Sequence, residues 1–367
     1  MIEPPHPSTC IPAHLATAIR DKAHDAEILG RLHPEQLVVI YSQNWFNLFV
    51  PKAIGGLELS LPEALAIEEG LAWADGSTGW TVTLCSGANW FVGFFQPETA
   101  ATIFSDKQVC LAGSGQPSGI AKVTENGYNI TGRWRYATGA PHATAFTANC
   151  IIEREDITLL NGDGSPLVYS FIFLRDEVVI HNDWHTNGMV ATASNSFEVA
   201  NLYVPGNRRF VIDAGGAVLN NPIYQYPFLQ FAQATLAINV SGMAVRFTDL
   251  CETMFAERAG SKIFTVETAS TMAYKLNIAK QRLHEARRQF YIAMRQSWGE
   301  CASYKTINPV LLNEVSVKSN ALATTALHVV DGLYPYCGLA AANPETEINR
   351  VWRNLHTASQ HSLLTPV

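Results

Sequence analysis

Apolar residues in this chain change their spacing twice, and the change restricts the possible architectures. Up to about Val109 they recur at helical intervals, as in SLPEALAIEEGLA, where Ser60 and Glu63 form a capping box ahead of Leu61, Ala64, Leu65 and Leu71. FVPKAIGGLEL, just before it, combines Pro51 with Gly55-Gly56 and reads as a loop between helices. From Val109 the interval becomes two. AKVTENGYNITGRWRYATG alternates apolar and polar residues around Asn126-Gly127, a dipeptide that favours a type I′ hairpin turn, and LVYSFIFL, EVVIHNDW and NSFEVANLYVP come next as short β-rich runs. From Tyr226 the helical interval returns in four segments, each long enough for a bundle helix: FLQFAQATLAINVSGMAVRFTDLCETMFAER, TASTMAYKLNIAKQRLHEARRQFYIAMRQSW, NPVLLNEVSVKSNALATTALHVVDGLY and ETEINRVWRNLHTASQHSLL. The expected fold is α+β, with a helical domain over 1–109, a β-barrel domain over 110–222 and a four-helix bundle over 223–367. A chain of 367 residues is long enough for that division.

Bulk properties exclude several function classes. Apolar residues at 47% and charged ones at 16% describe an ordinary globule, and a net charge of −7 offers no basic stripe to a polyanion. Nucleic acid is therefore not an expected partner. The longest apolar tract, Phe228 to Phe247, is broken by Gln230, Gln233, Asn239 and Arg246, which indicates a helix buried in protein and no membrane partner. MIEPPHPSTCIPAHL lacks the basic-then-apolar pattern of a signal peptide, and seven cysteines without a C-x-x-C read as free thiols in a reducing cytoplasm.

VCLAGSGQPSGIAKV looks at first like a dinucleotide fingerprint. Such a fingerprint needs its glycines to open a helix, whose N-terminus binds the pyrophosphate. Here Gly113 and Gly115 lead to Gln116-Pro117-Ser118-Gly119 and then to a period-two run, so the glycines lie between strands. The spacing G-x-G-x-x-x-G and the lack of βαβ alternation point away from a nicotinamide enzyme.

Four stretches in register, VPKAIGGLELSLPEALAIEEGLAWADGSTGW, GSGQPSGIAKVTENGYNITGRWRYATGAPHA, GMVATASNSFEVANLYVP and INRVWRNLHTASQH, resemble landmarks of the acyl-CoA dehydrogenase superfamily. The likeness is strongest to its oxygenase branch, the two-component flavin-dependent monooxygenases of the 4-hydroxyphenylacetate, hydroxylated-steroid-ring and dibenzothiophene types. The resemblance implies a reduced flavin, FAD or FMN, between the β domain and the bundle of a homotetramer, with O2 and a small-molecule substrate as co-reactants and a separate flavin reductase as partner.

It also implies roles. Gly113 and Ser114 lie in the loop that passes the flavin ring, where small residues let backbone N–H groups approach, and Ser114 is the candidate hydroxyl contact. Tyr136 stands where an aromatic residue covers one flavin face, and Thr138 where a hydroxyl reaches N5; read without the resemblance, Trp134 and Tyr136 share a strand face in the β core. Thr192 and Ser194 match polar positions of a strand near the flavin phosphates, or belong to a solvated face, while Val190 stands where arginine is common. Arg258 matches an arginine that reaches the pyrophosphate of a neighbouring subunit's flavin, with a plain surface arginine as the other reading.

The last helix separates oxygenase from dehydrogenase. Dehydrogenases of the superfamily need a carboxylate base, and the two matching positions hold Ser362 and Ala232. His361 stands instead where the oxygenase branch carries an active-site histidine. Seven residues is close to two helical turns, so Asn354 and His361 are expected on one helix face together with Arg350, and His356 about 140° away. Asn354 replaces a family aspartate, which implies a weaker or differently built cofactor grip.

HNDWH places His181 and His185 at a metal spacing only if helical; its flanks read as strand, so no metal is expected. Trp184 matches a substrate-side aromatic. No G-x-S-x-G elbow is present. DGSTGW opens a helix with Ser77 or Thr78 near its cap, and Trp80 through Asn89 border the substrate cavity by resemblance or pack in the core. A flavin monooxygenase is the leading expectation, with an acyl-CoA dehydrogenase or desaturase and an inactive flavin-free paralogue as alternatives.

Overall fold

A computed structural model describes residues 3–260, 265–304 and 306–365. Helices α1 (Ala13–Asp21), α2 (Ala23–Leu29), α3 (Pro34–Ser42), α4 (Leu61–Ala74), α5 (Gly76–Asn89) and α6 (Pro97–Ile103) precede the strands. Strands β1 (Leu111–Val123), β2 (Gly127–Ala137), β3 (Ala145–Arg154), β4 (Ile157–Thr158), β5 (Val168–Leu174), β6 (Val179–His181), β7 (Asn195–Pro205) and β8 (Arg209–Phe210) come after them. The chain then enters α7 (Phe228–Ala259), α8 (Val266–Tyr304), α9 (Pro309–Leu333), α10 (Leu339–Ala342) and α11 (Glu347–Ala358).

Local chemistry accounts for the element starts. At α4 the Glu63 carboxylate accepts from Ser60 N at 2.9 Å and from Ser60 Oγ at 2.6 Å. At α5 the cap is Asp75, earlier than the predicted Ser77 or Thr78: its Oδ2 accepts from Thr78 N at 2.9 Å and Thr78 Oγ1 at 2.7 Å. A carboxylate facing a helix N-terminus outcompetes a hydroxyl there. The β1–β2 hairpin turns at Asn126-Gly127, with Thr124 N donating to Gly127 O at 2.9 Å.

The strands form one mixed sheet in the order β6-β7-β2-β1-β3-β5-β8, with β4 beside β3. β1 and β3 run parallel, and their register shifts between Ser114 and Gly119, so residues 115–118 loop outward and are exposed. The glycine-rich stretch is therefore a bulged strand with no helix after it.

Two cores result. Trp134, Phe146, Phe171, Phe173 and Phe197 fill the β core, with Trp134 stacked on Phe197 at 5.1 Å. The amino-terminal helices and the bundle share the other core. α7 is long and apolar enough to cross a bilayer, yet most of that stretch is buried among other helices. Glu69 on α4 receives Nε and Nη2 of Arg287 on α8 at 2.7 and 2.8 Å, Tyr291 OH at 2.7 Å and Ser241 Oγ at 2.6 Å. A buried carboxyl that accepts from donors on two other helices pins α4, α7 and α8 together.

Candidate active site

A cavity of about 300 Å³ opens where the sheet meets α5 and α7. Its two walls differ in chemistry. The strand side supplies Gly113, Ser114, Gly115, Thr138, Thr147, Asn149 and Ser170, whereas the helix side supplies Thr83, Leu84, Gly87 and Ala88 from α5, Phe91 from the 3₁₀ turn that follows it, and Phe228, Phe231, Ala232, Thr235 and Leu236 from α7. Both helical sets recur at three- and four-residue steps, so each is one helix face.

On the strand side the bulge is tied down by Asn149. Its Nδ2 donates to Gly115 O at 2.8 Å, and its Oδ1 accepts from Ser170 Oγ at 2.6 Å, which links β1, β3 and β5. Gly113 is required by close packing: a Cβ there would meet Thr147 Oγ1 at 2.3 Å and Thr147 O at 2.6 Å. Thr138, Ser194 and Thr192 form a buried row of hydroxyls, linked at 2.8 Å and 2.8 Å, and Thr192 Oγ1 bonds Met189 O at 2.8 Å. Only Thr138 of the three lines the cavity. Thr192 lies on a 3₁₀ turn, Val190–Thr192, flanked by Met189 and Ala193 at φ 55° and 44°, and not on the expected strand. The bend is forced because α11 presses on it. Asn354 Oδ1 accepts from Met189 N at 2.6 Å, Thr357 Oγ1 accepts from Gly188 N at 3.1 Å, and a Cβ on Gly188 would lie 2.0 Å from Arg353 O. An amide at 354 thus docks the hydroxyl-bearing loop onto the bundle.

His361 lines the cavity, but not by the predicted route. α11 ends at Ala358, so His361 does not share a helix face with Asn354 and Arg350. The chain tightens through His361 N→Ala358 O at 3.1 Å and enters a 3₁₀ turn, Ser362–Leu364, that His361 caps, which lets Leu363 reach the cavity and Leu364 become buried. His361 Nδ1 accepts from Leu363 N at 3.3 Å. Since that nitrogen holds a lone pair, the neutral ring carries its proton on Nε2. Burial pushes the imidazole below its ordinary value of 6.5, which keeps it neutral at physiological pH.

The other predicted residues divide by position. Trp80 is buried on α5 with its ring 6.1 Å from that of His361. Asn89 is fully buried and saturated: Nδ2 donates to Phe46 O at 3.0 Å and Asn47 Oδ1 at 2.8 Å, and Oδ1 accepts from Leu111 N at 2.9 Å. It anchors β1 to the helical domain and does not line the cavity. Tyr136, at φ 67° and 58% exposed, sets its ring edge-on to Trp184 at 6.1 Å, away from the cavity lining; Trp184 Nε1 donates to Met189 O at 2.9 Å. Arg258 Nη1 and Nη2 donate to Tyr336 O and Cys337 O, both at 2.5 Å, in a second, surface hollow bordered by Arg246, Glu257 and Glu347. Arg353 pairs with Glu27 and donates to Asn187 O at 2.7 Å. His181 sits in β6 against Glu198 at 3.0 Å, and His185 is exposed.

Of the Trp80–Asn89 stretch, Thr83, Leu84, Gly87 and Ala88 line the cavity, whereas sequence reasoning missed Thr147, Asn149, Ser170 and the phenylalanines. Phe228, Phe231, Ala232, Thr235 and Leu236 carry a helical stripe that was visible; nothing in it told a cavity wall from a core face, because both are apolar.

A flat flavin ring has a polar pyrimidine edge and an apolar benzenoid edge, and this two-sided cavity fits such a ring. Ser114, Thr138 and the β1 backbone would meet the polar edge. Among the described residues no Asp, Glu, Lys or Arg side chain lines the cavity, and Ala232 and exposed Ser362 leave the two expected base positions without a carboxylate.

Residues 234–366 match the family model of the acyl-CoA dehydrogenase C-terminal domain. The chain is 27% identical over 371 residues to the flavin-dependent monooxygenase oxygenase subunit HsaA of Mycobacterium tuberculosis, covering 96% of this chain and 90% of that protein. It is 25% identical over 358 residues to indole-3-acetate monooxygenase of Pseudomonas putida, at 96% and 90% coverage. In three dimensions it is similar to the M. tuberculosis HsaA crystal structure (TM-score 0.88, 23% identity, 100% and 94% coverage) and to XiaF from Streptomyces in complex with FADH2 and glycerol (TM-score 0.82, 20% identity, 96% and 90% coverage).

Proposed function

We infer that this chain, acyl-CoA dehydrogenase-like in its fold and in the family match of its bundle, is the oxygenase component of a flavin-dependent monooxygenase. The observation that carries the reading is the cavity lining: an imidazole is its titratable side chain among the described residues, where a dehydrogenase needs a carboxylate. When bound, a reduced flavin supplies the electrons that activate O2. The protein's own part is to hold, orient and keep dry. Ser114 and Thr138, on the cavity's polar wall, would hold the ring's polar edge, and the α5 and α7 faces would exclude water from the substrate side. His361, with its proton on Nε2, donates a hydrogen bond to an oxygen in the cavity and stabilises negative charge that develops there. It acts as the orienting group and, after a tautomer change that gives up the Leu363 bond, as a base.

The reduced flavin, FAD or FMN, comes from a separate reductase in this reading. A homotetramer is supported by apolar side chains left exposed on the bundle, among them Tyr274, Val310, Val317 and Leu339. A cytoplasmic location is supported by the free thiols.

The test supplies the protein with reduced flavin, ¹⁸O2 and a panel of aromatic and heteroatom-bearing compounds. Incorporation of one ¹⁸O atom into a product, lost in His361→Ala, is expected. Desaturation of an acyl thioester without oxygen incorporation would overturn the proposal.

A further inference from the structure

Away from the cavity, two of the seven cysteines face each other inside the bundle. We propose that Cys251 and Cys337 are a peroxide-responsive site, at which hydrogen peroxide converts two thiols into a disulfide that fastens α7 to the turn between α9 and α10. The chemistry needs only the peroxide and does not depend on the oxygenase reading above.

Cys251 Sγ lies 3.5 Å from Cys337 Sγ, and both residues are fully buried. A bonded pair sits at ~2.0 Å, so the sulfurs have about 1.5 Å left to close. Cys337 Sγ donates to Leu333 O at 3.4 Å, which leaves its lone pairs to the Cys251 thiol. A guanidinium stands over the same turn, because Arg258 Nη1 and Nη2 donate to Tyr336 O and Cys337 O at 2.5 Å. Gly338, at φ 65°, turns the chain beneath it; a Cβ there would lie 3.3 Å from Arg258 Nη2. The Cys251 thiol and the Arg258 charge hold Cys337 below the ordinary 9.0 against burial, a bias towards the reactive thiolate. Hydrogen peroxide is scarcely larger than water and has a short way in. The surface hollow beside Arg258 is lined by Leu250 and Met254, which flank Cys251 along α7.

The Cys337 thiolate attacks one peroxide oxygen and the O–O bond breaks. Cys337 becomes a sulfenic acid, and the other oxygen leaves as water once it takes up the thiol's proton. Cys251 Sγ then attacks the Cys337 sulfur: the S–S bond forms, the S–O bond breaks, and the hydroxyl leaves as a second water with the Cys251 proton. Two thiols thus give two electrons and two protons to one peroxide, which is reduced to two waters. The product closes a loop that contains α8 and α9, and a cross-link across so long a stretch restricts the unfolded chain. Cys110 also neighbours a thiol, Cys85, but there the partner thiol and burial push it well above 9.0, so that pair should stay reduced.

The test treats the folded protein with millimolar hydrogen peroxide, removes the excess with catalase, unfolds the chain in N-ethylmaleimide and maps its peptides by mass spectrometry without reductant. One cross-linked pair is expected, Cys251 with Cys337, lighter by two hydrogens and reversed by dithiothreitol. Cys251→Ser should stop at a sulfenic acid on Cys337, trapped by dimedone, and Cys337→Ser should leave Cys251 a thiol. The oxidised wild type should unfold at a higher urea concentration than the reduced protein, a gain absent from both variants. Cys251 and Cys337 both still open to N-ethylmaleimide after peroxide, a Cys85–Cys110 bond that forms first, or a urea midpoint unchanged by the Cys251–Cys337 bond would each overturn the proposal.

Discussion

Trp80 and His361 meet edge to face, ring centres 6.1 Å apart at 61°, which joins α5 to the turn beyond the last helix. The indole shields the imidazole from water while Leu363 N holds its Nδ1, so both the proton's location and the ring's lowered basicity come from packing. In ¹⁵N NMR, His361 should show the Nε2–H tautomer and titrate below 6.5. Trp80→Leu, which admits water, should move that titration upward. A free-histidine titration in the wild type would refute the arrangement.

Replacing His361 by Ala should lower kcat by about 10²–10³ with a smaller change in KM, as for removal of a donor aimed at developing charge. His361→Gln, whose amide can still donate, should recover part of the loss. Far-UV circular dichroism should match the wild type in both, since the ring caps only a short terminal turn.

Gly113→Ala should destabilise the protein by about 1–3 kcal/mol, measured by urea midpoint, because the new methyl meets Thr147 Oγ1 and O inside contact distance. Gly115→Ala, which meets nothing within 4 Å, should leave stability unchanged.

Glu68 is fully buried, and desolvation holds its carboxyl well above the ordinary 4.5, against which the Ser86 hydroxyl at 3.4 Å does little. The folded state therefore binds a proton that the unfolded state releases above about 4.5. Its contribution is fully present at lower pH and falls as pH rises from there towards the folded-state value. Glu68→Gln should flatten this decline and leave the protein more stable than wild type at pH 8, as read by denaturant titrations across pH 4–8.

Arg287→Leu should cost about 3–5 kcal/mol by stranding the Glu69 charge, whereas adding Glu69→Gln to it should restore part of that loss. Additive effects in the double-mutant cycle would contradict the close pairing of the two groups.

Much of the plan is legible in the order of the residues alone. The period change near Val109, the Asn126-Gly127 hairpin and the four helical segments each depend on interactions within a few residues, which spacing reports directly. The exclusion of a dinucleotide fingerprint has the same basis, since the residues immediately after a glycine run decide whether it opens a helix. Ser114, Thr138 and His361 were all named from matched stretches, and the structure brings them to one cavity.

The rest was decided by tertiary packing. Asn89 and Tyr136 have residue types suited to a site, yet the first is consumed by partners in two segments, Phe46-Asn47 and Val109–Leu111, and the second is turned outward by a left-handed backbone. His361 reaches the cavity only because the helix stops at Ala358 and the tail folds back to bury Leu364, and no helical period could foresee that. Asn149, Ser170 and the phenylalanines of α7 became cavity walls when strand register and helix crossing left a gap beside them. Spacing along one chain reports which face of an element is apolar; whether that face meets a neighbour or an open space depends on elements distant in sequence.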